Sequence, residues 1–113
     1  AELEQYGSQL IKLLSDSSDA VKIKALELIA KMDRHSTEAV EAVTDTLVNP
    51  NIAVQKAALA TLGSMGGSAD IAVPDIVSAA QSSQSALMPV AIEALTAINT
   101  PQAQQALLSL KLR

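Results

Sequence analysis

One pattern of apolar residues recurs three times in this chain at an interval of 33 residues. Each copy has a large aliphatic residue, then Ala four positions later, Ile or Leu eight positions later, and Met or Ile eleven positions later. The three copies are Val21, Ala25, Ile29 and Met32; Val54, Ala58, Leu62 and Met65; and Leu87, Ala91, Leu95 and Ile98. Such a fixed period predicts a repeat array, in which each unit buries an apolar face against the next.

The offsets within each copy predict helices. All four positions return to one face of an α-helix, so each copy forms an amphipathic helix with a continuous apolar stripe, in which the small Ala lets a neighbouring helix approach closely. Shorter segments with apolar periodicity lie between these helices, at about residues 2–15, 37–48, 70–81 and 101–111. Because the connections are only a few residues long, each unit is predicted to be an antiparallel helix pair.

Residues suited to helix ends stand between the predicted helices. Ser18 and Asn51 are N-cap candidates, and Thr100 precedes a proline at a first-turn position. Gly66 and Gly67 can adopt the positive φ of a helix C-cap. These residues predict where the helices begin and end.

Two prolines interrupt the pattern. Pro89 falls several residues inside the helix that the repeat would begin near Gln84, so that helix either begins late or is kinked. Pro74 raises the same problem in the segment that starts at Ser68. There we expect a turn first and a regular helix only from about Val73.

Stacked helix pairs form an α-solenoid, so the sequence predicts an all-α fold of about three antiparallel pairs plus a terminal helix. The length of 113 residues suits one domain, and with Tyr6 as the only aromatic residue the core must consist of small and medium aliphatic side chains. We predict a single repeat domain over residues 1–113, with units at about 1–33, 34–66 and 67–99 and a terminal helix at 100–113.

Three segments carry a resemblance to a known family. They read LLSDSSDAVKIKALELIAKM, LVNPNIAVQKAALATLGSMGG and AAQSSQSALMPVAIEALTAINTPQA. Over nearly its whole length the chain resembles the short HEAT-like repeats, the group that includes the repeats of phycobilisome lyases. The resemblance implies a polar ladder between repeats, whose positions here are Asp16 with Lys22, Asn49 with Gln55, and Ser82 with Met88. Ankyrin repeats share the period but need a TPLH-like turn, and tetratricopeptide repeats carry aromatic residues that this chain lacks.

Charge and composition restrict the partners. The net charge is −4, and no Lys or Arg occurs from Ala57 to Leu110, so we predict no nucleic-acid partner. No apolar run approaches the length of a membrane span, so we predict no membrane partner either. The absence of Cys excludes disulfides and thiolate sites but fits a cytosolic or an exported protein equally well. A first residue other than Met is expected of a processed chain or of a piece of a longer one.

Few residues could carry out chemistry. His35, with Asp33 and Glu38 nearby, could be a general base or half of a metal site, but no nucleophile or second rigid ligand accompanies it. We interpret it as a solvated turn residue. The run GSMGG follows a helix and lacks a subsequent Lys-Ser or Lys-Thr, which favours a helix cap over a phosphate-binding loop. Tyr6 is expected to cover the N-terminal end of the core. We therefore predict no enzymatic activity, no cofactor and no metal.

The second helices of the pairs are predicted to line a concave surface. Facing away from the Ala stripe are Ile23, Glu27, Lys31, Lys56, Ala60, Ser64, Pro89, Glu93 and Ala97. We predict a non-enzymatic interaction or scaffolding module that binds a protein or peptide there, with Glu27, Lys31, Lys56 and Glu93 as the binding residues. As the alternative, the family resemblance implies a chaperone-like or lyase-associated subunit that acts on a bilin or other cofactor protein.

The last predicted helix has two apolar faces where a terminal helix needs only one. One stripe, which can close the third unit, consists of Ala103, Ala106, Leu107 and Leu110. Leu108 and Leu112 point away from that stripe. We predict that they form an edge contact with a second copy, further repeats or a partner, although scattered surface leucines are an equal alternative.

Overall fold

The computed structural model describes residues 6–32, 35–82 and 86–111, and these residues contain no strand. The α-helices are α1 (Gly7–Leu13), α2 (Asp19–Ala30), α3 (Thr37–Asp45), α4 (Ile52–Ser64), α5 (Val73–Ser82), α6 (Met88–Ile98) and α7 (Pro101–Lys111). Two 3₁₀ helices, Thr46–Val48 and Gly66–Ala72, follow α3 and α4. The predicted all-α fold is confirmed.

The helices form two layers. α2, α4 and α6 pack side by side in chain order, and α1, α3, α5 and α7 lie along the other side of this row. Consecutive helices pair across the layers, α1 with α2, α3 with α4 and α5 with α6, while α7 packs on α5 and α6. The stack measures 41 × 27 × 16 Å. This arrangement is the α-solenoid of about three pairs plus a terminal helix that the sequence predicts.

Side chains cap the starts of the helices at the predicted residues. At the starts of α2, α4 and α7, the side chains of Ser18, Asn51 and Thr100 each accept a hydrogen bond. The donor is the backbone N–H of the residue two or three positions further along the chain. Ser36, which we did not single out, caps α3 in the same way. The Thr100 hydroxyl also donates to the Asp70 carboxylate, which ties α7 to the 3₁₀ helix before α5. The caps thus satisfy backbone donors that a helix start leaves unpaired.

The C-terminal ends agree with the prediction only in part. Gly66 follows α4 with a φ of 61°, as expected of a helix C-cap, whereas Gly67 does not take a positive φ. Asn99 ends α6 in the left-handed conformation, with a φ of 54°. Asn tolerates this conformation better than most residues do, so it can replace Gly at such an end.

Both prolines lie in the first turns of helices. α6 begins late, at Met88, so Pro89 falls at a position whose N–H has no partner within the helix. Pro74 is the second residue of α5, which begins at Val73 after the 3₁₀ helix. The structure therefore selects the late start over the kink for α6 and confirms the expected turn before α5.

The repeated stripe forms the core of the stack. Ala25, Ala58 and Ala91, its second positions, are at most 1% exposed. Val21 and Met32, at the two ends of the first copy, are only half-buried. Val21 lies in α2 and Met32 just after it, at the end of the row, whereas α4 lies between α2 and α6, and α6 is covered by α7 as well. Burial of the stripe thus depends on stacking, as expected for repeat units.

Two contacts hold α4 close to its neighbours. A Cβ added to Gly63 would lie only 3.2 Å from the Cα of Ala94 on α6. On the other side, the buried Thr61 hydroxyl lies 3.0 Å from the Leu26 carbonyl oxygen of α2 and 2.8 Å from the Ala57 carbonyl oxygen of its own helix. Small side chains and one shared hydroxyl hydrogen therefore fix the spacing of the row.

We expect Ala58→Leu to lower the free energy of unfolding by about 1 to 3 kcal/mol, because the larger side chain overpacks the fully buried position of Ala58 in the stripe of α4. Leu62→Ala, which leaves a cavity in the same stripe, is expected to cost about 2 to 5 kcal/mol. Ala60, exposed on the same helix, gives the control: Ala60→Leu should change stability by less than about 0.5 kcal/mol. Urea denaturation followed by circular dichroism measures all three. Wild-type stability of Ala58→Leu would contradict the stacking register.

A polar cluster links the starts of α2 and α4. Asp19 accepts a hydrogen bond from Asn51 Nδ2 at 2.9 Å, and its other carboxylate oxygen lies 3.5 Å from Asn49 Nδ2 and 3.5 Å from Lys22 Nζ. Asn49 in turn accepts the Asn51 backbone N–H at 2.8 Å. The polar link between the starts of these two helices is therefore made by one carboxylate and two amides.

Of the ladder positions implied by the family resemblance, only Asn49 takes part in the side-chain contacts between α2 and the start of α4, together with Asp19 and Asn51. Asp16 accepts the backbone N–H two residues later at 2.9 Å. Lys22 lies beside Asp19 instead, because the two are one helical turn apart. Gln55 donates to a backbone carbonyl oxygen of the preceding turn at 2.9 Å, and Ser82 to one in its own helix at 3.2 Å. The inter-unit carboxylate is thus Asp19, which the sequence prediction missed.

The cluster lowers the pKa of Asp19 below its ordinary value of 3.8. The hydrogen bond from Asn51 contributes most, partial burial opposes it, and the positive charge of Lys22 acts in the same direction as Asn51. The folded protein therefore favours the ionised carboxylate more than the unfolded chain does. Its contribution to stability is present above the ordinary pKa and is lost as the pH falls through the folded pKa.

We expect the urea midpoint of Asp19→Asn to depend less steeply on pH than that of the wild type between about pH 5 and pH 2, because the shifted carboxylate is gone. Asp75→Asn is the control, since Asp75 is exposed and has no hydrogen bond or ion pair to the described residues. Urea titrations at several pH values measure the difference. Equal slopes for Asp19→Asn and the wild type would contradict the role of this cluster.

Candidate functional site

An open groove runs between α4 and α6 on the side away from the first helices of the pairs. Its volume is about 280 Å³. It is lined by Ala60, Gly63, Ser64, Val90, Glu93, Ala94 and Ala97. We call it the α4–α6 groove. The groove is shallow because most of its side chains are small and Gly63 brings the two backbones together.

The groove offers one free charge. The Ser64 hydroxyl donates to the Thr61 carbonyl oxygen at 2.7 Å, so it is satisfied within α4. Glu93 is exposed and has no hydrogen bond or ion pair to the described residues. An apolar floor with a single carboxylate can contact a peptide but holds no catalytic pair.

The predicted surface residues occupy equivalent positions in the three units. Ala60 and Glu93, 33 residues apart, both line the groove, and Glu27 is their equivalent on α2. Ser64 and Ala97 line it too, with Lys31 as the equivalent just after α2. We use the term second-helix face for the exposed residues at these positions and at the row that begins with Ile23. The row of Ile23, Lys56 and Pro89 does not line the groove.

The four predicted binding residues are all exposed, but only Glu93 lies in the α4–α6 groove. Glu27 lies 3.8 Å from Lys24 on its own helix, a solvent-exposed pair that contributes little to stability. Lys31 and Lys56 have no ion pair to the described residues. The face therefore has mixed, largely unpaired charges.

Four further residues differ from or extend the sequence interpretation. Ile23 is half-buried and packs against the core, so it belongs to the interior more than to the surface. Val90 and Ala94 line the groove although the pattern did not single them out. Gly63 lines it too, and this first residue of the GSMGG run lies inside α4 rather than after the helix, as the sequence interpretation had it. Gly63 could have been found, because Gly inside a helical pattern often marks a close approach of another backbone.

His35 is not a solvated turn residue. It is half-buried, and its Nε2 lies 2.9 Å from the Ile29 carbonyl oxygen near the end of α2. Since a carbonyl can only accept, Nε2 is the protonated nitrogen of this contact. Asp33, expected nearby, lies outside the described residues. Within the described ranges, no three His, Cys, Asp or Glu residues are placed to hold a metal ion.

The terminal residues agree with the sequence interpretation in part. Ala103, Ala106 and Leu110 are buried against the third unit, and Leu107 is half-buried. Leu108 is 60% exposed, as predicted, and Leu112 lies outside the described residues. Tyr6 is 50% exposed, so it covers the end of the core only incompletely.

No helix in the described part of the chain has both the length and the apolar character needed to cross a membrane.

Comparison with known proteins identifies one family. The family described as HEAT repeats matches residues 7–73. No curated protein and no solved structure matches the chain. HEAT repeats generally mediate protein–protein interaction or scaffolding, and the family is typically non-enzymatic. Because the match covers more than half of the 113 residues and the fold is a stack of helix pairs, the chain belongs to the HEAT-repeat family.

Proposed function

We propose that this protein is a non-enzymatic binding module that holds a protein or peptide segment on its second-helix face. The observation that carries the proposal is the α4–α6 groove, an open, mostly apolar depression with one carboxylate that pairs with no described residue. Because the side chains between α4 and α6 are small, the surface over the two closely spaced backbones leaves room for a polypeptide chain lying across it. The partner is therefore a polypeptide rather than a small molecule enclosed in a pocket.

The charges of the face favour a particular arrangement of the partner. Glu93 in the groove suits a Lys or Arg of the partner, while Lys56 and Lys31, outside the groove, suit carboxylates. Charges at the rim of an interface chiefly determine specificity and association rate, and apolar contacts supply most of the affinity. We expect small aliphatic side chains of the partner to occupy the groove between Ala60 and Ala97.

The finer alternative is a chaperone-like or lyase-associated subunit that acts on a bilin or other cofactor protein. It rests on the resemblance to phycobilisome-lyase repeats alone. A shallow groove lined mainly by small side chains favours polypeptide binding over a site for a tetrapyrrole. A visible absorbance spectrum that changes when a bilin is added to the protein would favour the alternative.

We expect Ala60→Arg and Ala97→Arg to weaken peptide binding at least about tenfold, because bulky charged side chains fill the groove. Peptides selected from a displayed library against the wild-type protein are the ligands, and fluorescence anisotropy measures their Kd. The charge reversals Lys31→Glu, Lys56→Glu and Glu93→Lys should each weaken those peptides that carry the opposite charge.

The control for this experiment is Lys12→Glu, which reverses an exposed charge on α1. Circular dichroism verifies that every variant keeps its helices. Peptides that lose affinity with Lys12→Glu but not with the groove variants would show that the partner binds elsewhere and would overturn the proposal.

We further propose that the units run at about residues 1–33, 34–66 and 67–99, with the terminal helix at 100–113 as a contact edge. Leu108 is 60% exposed on this last helix. A terminal unit normally presents a polar outer face, since nothing covers it. A second copy of the chain or further repeats could cover this leucine.

We expect the protein to self-associate as its concentration rises and Leu108→Glu to abolish this association, because a charge replaces the apolar contact. Gln105→Glu, at an exposed position on the same helix, is the matched control for added charge. Sedimentation equilibrium gives the mass of each protein. A wild-type protein that stays monomeric over the accessible concentration range would exclude the dimer.

A further inference from the structure

A second depression lies on the opposite layer of the stack, where the 3₁₀ helices join α3 and α5. It consists of two adjoining parts of about 270 and 310 Å³ that share Thr44 and Asp75. We call it the outer groove, and the residues that matter are Glu41, Thr44, Asp45, Val48, Ile71 and Asp75. It is separate from the α4–α6 groove, with which it shares no lining residue.

The outer groove exposes large aliphatic side chains. Val48 is 87% exposed, the largest fraction for a large hydrophobic residue in the described part of the chain, and Ile71 is 54% exposed. Each lies in one of the two adjoining parts. Single exposed aliphatic residues are common, but two that border one continuous depression provide an apolar surface that a partner can bury.

Uncharged polar side chains in the outer groove are mostly engaged with the protein itself. The Thr44 hydroxyl donates to the Val40 carbonyl oxygen at 2.7 Å, and Ser82 bonds within its own helix. Gln55 donates to the carbonyl oxygen of Leu47 at 2.9 Å. Since these groups are satisfied, the surface offers a partner apolar contacts and carboxylates but few free donors.

Within the described ranges, no cation pairs with the carboxylates of the outer groove. Glu41, Asp45 and Asp75 are exposed and make no ion pair with the described residues. α3 and α5 contain no Lys or Arg. Lys22 lines a neighbouring depression with Asp45 and Val48, but it lies 3.5 Å from Asp19.

The spacing of the acids gives no indication of a metal site. Within the described ranges, no three of these groups are placed to hold a metal ion together. Negative charge distributed along an apolar groove is instead complementary to positive charge distributed along a polypeptide, and it also accelerates association.

We propose that the outer groove binds a Lys- and Arg-rich amphipathic segment of a partner protein. Apolar side chains of the segment pack against Val48 and Ile71, and its cations face Glu41, Asp45 and Asp75. An amphipathic helix whose apolar face lies in a groove is a common form of such recognition. This site is independent of the second-helix face, so either proposal can fail without the other.

The probe is a synthetic helical peptide of about 15 residues with Leu on one face and Lys on the other. Fluorescence anisotropy at low and at physiological salt measures its Kd. We expect Asp75→Asn combined with Asp45→Asn to weaken binding about tenfold or more, and the affinity to fall as salt rises. Glu38→Gln, at an exposed acid of α3 that lines neither groove, is the control and should have a much smaller effect than Asp75→Asn alone.

A second pair of variants separates docking from general attraction between opposite charges. Val48→Ser with Ile71→Ser leaves the charge unchanged and should weaken binding about tenfold, while Leu13→Ser, at an exposed aliphatic position of α1, should not. The side chains at all these positions are exposed, so the substitutions should leave the fold intact. Circular dichroism verifies that each variant keeps its helices. The proposal is overturned by a peptide that does not bind, by an effect of Glu38→Gln as large as that of Asp75→Asn alone, or by full affinity in Val48→Ser with Ile71→Ser.

Discussion

The close packing of α2, α4 and α6 is the constraint on which the rest of the structure depends. Ala25, Ala58 and Ala91 are at most 1% exposed, and Gly63 has no room for a larger side chain without displacing Ala94. Dispersion contacts weaken steeply with distance, so small residues at a crossing gain much from close approach. The first helices of the pairs and both grooves take their positions from this row.

The fold was predictable because its signals are local and repeated. An apolar stripe that recurs at a fixed interval specifies helices and their stacking together, which a single amphipathic segment cannot do. The caps at Ser18, Asn51 and Thr100 and the late helix starts around Pro74 and Pro89 follow from backbone chemistry within a few residues. Such features need no knowledge of distant contacts.

The surfaces were less predictable because they depend on contacts between units. Asp19 accepts a hydrogen bond from Asn51, which is 32 positions away in the sequence. His35 contacts the carbonyl oxygen of Ile29 because of the conformation of the turn between them, which the apolar periodicity does not specify. Ile23 was expected on the surface because its angle on an ideal helix points outward, but it packs against the core. The angular position of a residue on its own helix does not determine how far the neighbouring helices and their side chains extend, and therefore does not determine whether the residue is covered.

The two layers of this solenoid differ in charge, and that difference has a physical consequence for scaffolding. The second-helix face carries both signs of charge, at Glu27, Lys31, Lys56 and Glu93, whereas α3 and α5 carry only acids. In a stack only one helix thick in each layer, every helix pair must expose both of its outer sides. Surfaces of different character therefore lie on opposite sides of a stack whose smallest extent is 16 Å. If both proposed sites bind, two partners of different charge would be held by one rigid row without competing for the same residues. The packing that limits the core to small side chains would then also provide the short distance that a scaffold needs.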